Sequence, residues 1–465
     1  MVDMSQKTQQ AVDTAMAGAA EVGRYGRRLL NMFWDPEPTN DTSLSRPVWC
    51  LGRLYNNDAD TGGHHSRGDV PAASHTTPPI SPSITTLPHP LRAVPNTPPE
   101  SSSGSFSSSL VYDEPLQDAG WPAAFLDDFE SRIWMTYRSG FEPISKSTDP
   151  KASSALSFAM RLKTLADQGG FASDTGWGCM IRSGQSLLAN ALAISRLGRE
   201  WRRGTAERQE REIISRFADD PRAPYSIHNF VRHGAVACGK YPGEWFGPSA
   251  TARCIQALTN SNEEMLRVYS TGDLPDVYED SFMAVAKPDG ETFHPTLVLV
   301  GTRLGIDKIN QVYWEALTAT LQMPQSVGIA GGRPSASHYF IGAQRSGDDY
   351  ESGSCLFYLD PHCTRPALPF HEDVDLYTSD DINTCHTRRL RRLHMRDMDP
   401  SMLIGFLIKD ESDWELWKDS VKYVQGKAII RVSDNDPARG VPAEREAAIY
   451  EVETLSDDED TVLDG

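Results

Sequence analysis

Asp174-Thr-Gly-Trp-Gly-Cys-Met-Ile-Arg-Ser183 is the stretch on which the reading of this 465-residue chain turns. It sets one cysteine, Cys179, between a glycine-flexed loop and a run whose larger or apolar positions recur at 180, 184, 187, 188, 191 and 192. That i, i+3, i+4 rhythm predicts a helix burying one face and stopping at Gly198, a natural C-terminal breaker. Cys179 then opens the helix, where unpaired N–H groups and the positive dipole end favour a thiolate over a thiol. Gly176 and Gly178 carry no Cβ, which leaves room for another backbone close to the sulfur. The plainer alternative is a small buried cysteine under a helix start.

A nucleophilic thiol needs a base, and the base needs something to orient it. Cys355-Leu-Phe-Tyr-Leu-Asp-Pro-His362 offers both. The apolar run 356–359 reads as a buried strand, with Asp360 and His362 two residues apart at its end. If the extended conformation persists, the strand period of two puts both side chains on one face. Pro361 fixes its own φ and biases Asp360 towards extended backbone. An imidazole held by a carboxylate can take the thiol proton and later protonate a leaving amine. Two alternatives stand beside this one: Asp-Pro opens turns, and Asp-x-His can supply two metal ligands. No Cys-x-x-Cys or His-Glu-x-x-His spacing supports a metal site.

The chain resembles the autophagins, autophagy-related cysteine endopeptidases with a papain-like fold, and most closely those of filamentous fungi. The matching segments are Phe33-Trp-Asp-Pro-Glu-Pro38, Pro47-Val-Trp-Cys-Leu-Gly52, Trp134-Met-Thr-Tyr-Arg138, 174–185 and Gly243-Glu-Trp-Phe-Gly-Pro248. Further on come Gln325-Ser-Val-Gly-Ile-Ala-Gly-Gly-Arg-Pro334, His338-Tyr-Phe-Ile-Gly342, 358–362 and Asp399-Pro-Ser-Met-Leu-Ile-Gly-Phe406. They occur in the family's order. The resemblance implies that Cys179 is the nucleophile, His362 the general base and acid, and Asp360 its orienting partner. It further implies that Tyr137 helps stabilise the oxyanion beside the nucleophile's backbone N–H. It makes Trp245 a cover over the substrate groove, and Gly331-Gly332-Arg333-Pro334 a mobile loop over the nucleophile. From the residues alone, Tyr137 is equally a half-buried aromatic in a stripe with Trp134, and the glycine pair equally an ordinary turn.

Composition narrows the class. Seven cysteines, odd in number and scattered from 50 to 385, do not form a secreted disulfide framework. No apolar stretch approaches the length of a membrane span, and no hydrophobic signal core opens the chain. A net charge of -19 disfavours nucleic acid as a partner. From Ser433 onward, eleven acids stand against Arg439 and Arg445, the pattern of a solvated tail. Phe141-Glu-Pro-Ile144 has the spacing of a modifier-docking motif but reads as structural.

The organisation expected from composition has five parts. Residues 1–30 are an extension, partly helical or disordered, with a membrane-surface helix as the competing reading. Residues 31–55 resemble the start of the catalytic domain. Residues 56–112, rich in Ser, Thr and Pro, cannot bury enough apolar surface to fold and read as a disordered insertion. Residues 113–432 form the catalytic body, ending in a strand over 402–408 and a helix bearing Trp414 and Trp417. Residues 433–465 are the acidic tail. The dense basic cluster Arg388, Arg389, Arg391, Arg392 and Arg396 reads either as a transient membrane-surface contact or as an internally paired face.

The expectation is thus an α+β papain-like cysteine protease with a small accessory subdomain, using no metal or organic cofactor. The resemblance implies that it cleaves after the C-terminal glycine of a ubiquitin-like autophagosome modifier, both in the precursor and in its phosphatidylethanolamine-linked form. A protease for another ubiquitin-like protein and a catalytically silent modifier-binding scaffold are the alternatives. A cytoplasmic location follows, with recruitment to autophagosomal membranes and the nucleus as further locations.

Overall fold

A computed structural model of the chain describes residues 37–41, 46–56, 118–157, 160–162, 169–333, 336–347 and 352–437. The N-terminal extension 1–30, nearly all of the insertion 56–112 and the tail beyond Pro437 lie outside these residues.

Continuous apolar runs such as 297–300 and 402–404 suit strands covered on both faces. They form the middle of a nine-stranded sheet. Its members in chain order are β1 (Val48–Cys50), β2 (Arg53–Tyr55), β5 (Arg267–Ser270), β7 (Thr296–Arg303), β8 (Ser326–Arg333), β9 (Ala336–Arg345), β10 (Ser354–Leu359), β12 (Arg392–His394) and β13 (Ser401–Ile408). The spatial order is β12-β10-β9-β8-β13-β7-β5. Only the β5–β7 pairing is parallel. β9 is long enough to serve two partners on one edge: its first half pairs with β8, its second half with β1, where Cys50 faces Gly342. The strand expected over 402–408 is β13, and the Trp414/Trp417 helix is Glu411–Lys422. A smaller sheet joins β3 (Arg138–Ile144), β4 (Phe171–Ser173) and β11 (Arg365–Pro366), and β6 (Asp276–Tyr278) pairs with β14 (Arg431–Ser433). Phe141 is buried there, as a structural residue would be.

Strand alternation splits the interior into two cores. Leu297, Leu299, Leu403 and Leu407 face one, and Val298, Val300, Ile404 and Phe406 the other. Across the first face lies α1 (Cys179–Leu197), which ends at Gly198 with φ 87°. Contact is close enough that a Cβ on Gly405 of β13 would stand 3.1 Å from Leu187.

Here the expectation needs correcting. α1 does not bury one face; every residue from Cys179 to Ile194 is buried, Arg182, Ser183, Gln185, Ser186 and Asn190 included. The polar positions are buried because they hold the irregular segment 132–137, whose backbone has no strand partner along most of its length. Asn190 accepts from the Ile133 N–H at 3.0 Å and donates to its carbonyl at 2.9 Å. Ser186 accepts from the Met135 N–H at 2.9 Å. The helix thereby fixes the segment that delivers Tyr137. Asn190→Ala would orphan both Ile133 groups, and should cost about 1–3 kcal/mol per group in urea unfolding with the m-value unchanged.

Among the described residues, no helix is long and apolar enough to cross a membrane.

Candidate active site

Cys179 is the first residue of α1, and Gly178 before it offers no side-chain cap. The first-turn N–H groups are therefore left to whatever enters beside the sulfur. Gly176 takes the turn at φ 94°, a conformation that favours glycine. Gly178 has a different reason for being glycine: a Cβ there would lie 2.5 Å from the Asp174 carboxylate. The close neighbour is thus a side chain rather than another backbone. That carboxylate is buried and accepts from the Arg138 N–H at 2.6 Å and from Arg182 Nε at 2.7 Å. A second acid, Asp219, holds the other side of Arg182 at 2.8 Å. One buried ion-pair network consequently ties the nucleophile loop to the strand that begins just after Tyr137.

The candidate base, His362, arrives from the far end of β10. The strand stops at Leu359, and Asp360-Pro361-His362 turns away from it. The strand-period argument therefore fails, and the turn-opening property of Asp-Pro takes its place. Asp360 Oδ1 accepts the backbone N–H of His362 at 3.1 Å and pairs with its Nδ1 at 2.6 Å. The turn and the acid–base pair are made by the same carboxylate. The Trp134 indole donates to the Asp360 carbonyl at 2.9 Å, and the Tyr137 N–H donates to the Pro361 carbonyl at 2.8 Å. The Tyr137 ring meets the His362 ring edge-on, centroids 5.3 Å apart. Tyr137 is buried rather than half-buried.

Electrostatics join the two halves. Burial alone would push the Cys179 thiol up; interaction with His362, together with the Ser337 backbone and the Trp245 indole, brings it down to about 7. Burial alone would lower His362; Asp360 and the Cys179 sulfur raise it to about 9. Asp360 is buried too, yet the hydrogen bonds and charge of His362 hold its carboxyl well below the usual carboxylate range. Between those two values the stable state is thiolate with imidazolium. Nε2 of His362 makes no well-aligned hydrogen bond, so the resting contact is an ion pair awaiting a small ring adjustment.

Trp245 roofs the sulfur: its indole Nε1 lies 3.4 Å from Sγ, and the residue is 42% exposed to solvent. Gly331 and Gly332 sit inside β8, paired with His338 and Ser337 of β9, rather than in a hinge. They are glycines because of close approach. A Cβ on Gly331 would stand 2.8 Å from Met402, and one on Gly332 would collide with the Ala336 carbonyl. Arg333 ends the strand exposed, and Pro334 lies outside the described residues. Met180, Trp245, both glycines and Ser337 line a cleft of about 290 Å³.

Three residues had no role at this site in the sequence analysis, although His338 falls in a matching segment and Arg391 in the basic cluster. The Ser337 backbone is among the groups that lower the Cys179 thiol. Arg391 places Nε 3.9 Å from Asp360 Oδ2. His338 lies buried with Nε2 3.8 Å from Asp360 Oδ1, and burial lowers it to about 3, so the ring is neutral. Adjacency in sequence links none of them to the dyad. His338, Asp360 and His362 are the one set of three metal-ligating side chains clustered among the described residues, their ligand atoms within 4.8 Å. In the present geometry the Asp360 oxygen is engaged by both N–H groups of His362. Elsewhere in the basic cluster, Arg388 pairs with Asp127 at 2.7 Å and Glu130 at 3.2 Å, as an internally paired face would.

A family model described as the peptidase C54 catalytic domain matches residues 122–420. The chain is 83% identical over 455 residues to "Probable cysteine protease ATG4" of Cryphonectria parasitica, covering 98% of this chain and 99% of that protein. It is 64% identical over 493 residues to "Cysteine protease ATG4" of Pyricularia oryzae, covering 98% and 100%. Against "Cysteine protease ATG4" of Gibberella zeae the identity is 60% over 476 residues, covering 97% and 99%. The expected papain-like α+β class and cysteine-type peptidase activity both hold. The chain belongs to the peptidase C54 family of cysteine peptidases.

Proposed function

We propose that this peptidase cleaves after the C-terminal glycine of a ubiquitin-like autophagosome modifier. It releases the C-terminal residues of the precursor, and it frees the modifier from phosphatidylethanolamine. The Cys179 thiolate attacks the glycine carbonyl carbon. Charge then gathers on the carbonyl oxygen, and the Cys179 N–H and the Tyr137 phenol are the donors assigned to meet it. The imidazolium of His362 gives its proton to the departing nitrogen, and a thioester remains on Cys179. In the precursor that nitrogen belongs to the next residue; in the conjugate it is the ethanolamine amine. His362, now neutral, takes a proton from water as the hydroxide oxygen adds to the thioester carbonyl. Collapse returns the sulfur as thiolate and frees the glycine carboxylate. Every proton is carried by the chain or by water.

The observation that carries this reading is Trp245 standing 3.4 Å over the Cys179 sulfur, with Gly331 and Gly332 lining the same cleft. A roof that low favours a backbone without side chains at the scissile carbonyl. Changing the substrate's scissile glycine to alanine is therefore expected to lower kcat/KM by about 10²-fold or more, because a methyl group must displace the indole. Equal cleavage of the alanine substrate would sink the reading. Side-by-side incubation with other ubiquitin-like proteins separates modifier preference from general glycine preference.

A further inference from the structure

Arg182 stands one helical turn after Cys179 on α1, and its backbone N–H donates to the Gly178 carbonyl at 2.9 Å. Its guanidinium is shared between two acids. Nε lies 2.7 Å from Asp174, in the loop that leads into the nucleophile, and Nη2 lies 2.8 Å from Asp219. Asp219 in turn grips the other half of the site. Its backbone N–H donates to the Leu368 carbonyl at 2.9 Å, and its Oδ2 accepts from the Leu368 N–H at 2.8 Å. Leu368 follows His362 by six residues. Between the two, β11 pairs with β3. Arg138 of β3, 4.0 Å from Asp219, donates from Nη1 to the Pro366 carbonyl at 3.0 Å. Asp174, Arg182, Asp219 and Arg138 are all buried, two anions against two cations.

Net stability does not account for such a quartet. Taking ion pairs out of water costs about as much as their attraction returns, and apolar residues of similar volume commonly serve as well. What an apolar cluster lacks is direction. A guanidinium fork fixes the distance and angle of both carboxylates at once. Here one carboxylate belongs to the loop that enters Cys179, and the other holds both backbone polar groups of a residue in the stretch that leaves His362.

We propose that Arg182 is a positioning residue of the peptidase, setting the distance between the Cys179 sulfur and the His362 ring through Asp174 on one side and Asp219 on the other. The reading rests on Cys179 and His362 as the reacting pair, and on no particular substrate. The two halves of that pair come from α1 and from the turn after β10, so nothing local in the chain sets their separation. A displacement of about 1 Å between reacting groups costs about 10²-fold in rate. The shared guanidinium is the side chain that touches both supports.

The test is Arg182→Lys in the full chain. Lysine keeps the charge and most of the buried stem, but a single ammonium cannot reproduce the fork that holds both acids. In protein shown by its melting curve to be folded, kcat for the precursor is expected to fall by about tenfold or more, with KM within about threefold of the parent. Alkylation of Cys179 by iodoacetamide near neutral pH, followed in tryptic peptide 164–182, should slow by about fivefold or more. Alkylation needs no substrate, so this arm stands whichever modifier is cleaved. Asp219→Asn is the second variant, and its sign is informative. Removing an anion would by charge alone favour the thiolate and speed alkylation, so slower alkylation reports lost alignment. The proposal is overturned if folded Arg182→Lys protein matches the parent in both rates, or if Asp219→Asn alkylates faster than the parent. It is overturned equally if neither variant folds, which would make the quartet a structural support. A parent whose Cys179 reacts no faster than in His362→Ala protein removes the reacting pair itself, and the proposal with it.

Discussion

Cys179→Ala is expected to abolish turnover of the proposed modifier precursor, by about 10⁴–10⁶-fold, while the precursor should still bind within about threefold of the unmodified enzyme. The size of the loss follows from the absence of a second nucleophile in the cleft. The cleft offers two hydroxyls, and both are engaged: Ser337 bonds to Ser183 at 3.0 Å, and Ser401 accepts from Arg303 at 3.2 Å. Neither has a base aimed at it. Water attacking directly would need neutral His362 as its base, and without the thiolate that imidazole is a weaker base. Nor is there a thioester to divide the reaction into two easier steps. Binding should survive because the substitution deletes one atom from a side chain only 2% exposed. The cost in stability is about 1 kcal/mol or less, since the Trp245 N–H that loses its sulfur acceptor belongs to a partly exposed side chain and can turn to water. Single-turnover assays with precursor, together with calorimetric titration, read the two quantities separately. A variant that binds normally and still cleaves would remove Cys179 from the mechanism. A parent enzyme that binds but never cleaves would make the chain a scaffold.

How much of this could be read from the chain depended on how far apart the interacting groups lie. The bounds of α1 were legible because both are written locally: a glycine-rich entry, a helical rhythm and Gly198 at φ 87°. The strand 354–359 and the strand 401–408 were legible for the same reason, as short apolar runs. Burial all around α1 was not, because Asn190 and Ser186 look like solvent-facing residues until segment 132–137 is laid against them. Asp360 and His362 were found through the wrong geometry. The expectation relied on strand alternation, whereas the structure joins them through an Asp-Pro turn. Both conformations bring residues i and i+2 together, so spacing alone does not distinguish them. The glycine pair 331–332 read as a hinge for want of its neighbours, Met402 and Ala336. His338 and Arg391 approach Asp360 from β9 and from the stretch before β12, and only the order of strands in the sheet makes them neighbours.

Asp360→Asn should lower kcat by about 10²–10⁴-fold and, more tellingly, collapse the pH profile of kcat/KM. In the parent enzyme the active form is thiolate with imidazolium. Its rate should rise as pH passes about 7, where the thiol gives up its proton, and fall past about 9, where the imidazolium does. The sign of each limb is fixed by these groups: below 7 there is no nucleophile, and above 9 no acid for the leaving amine. The Asp360 carboxylate sustains the upper limb, because burial on its own would pull His362 below its ordinary value. With asparagine in its place burial wins and His362 falls. The thiol then loses part of its cationic partner and rises. The two limbs move towards each other and cross, so at no pH is the ion pair the main species. A neutral amide also leaves open which ring nitrogen carries the proton, and a donor at Nε2 cannot accept from sulfur. Asparagine occupies nearly the same volume and can still accept the His362 N–H in the turn, so folding and modifier affinity should change little. A purely structural Asp360 would give the reverse outcome: a lower melting temperature with the bell-shaped profile intact. An unshifted upper limb together with a rate within tenfold of the parent would rule out the orienting role, and would leave the 2.6 Å contact between Asp360 and His362 as a turn and nothing more.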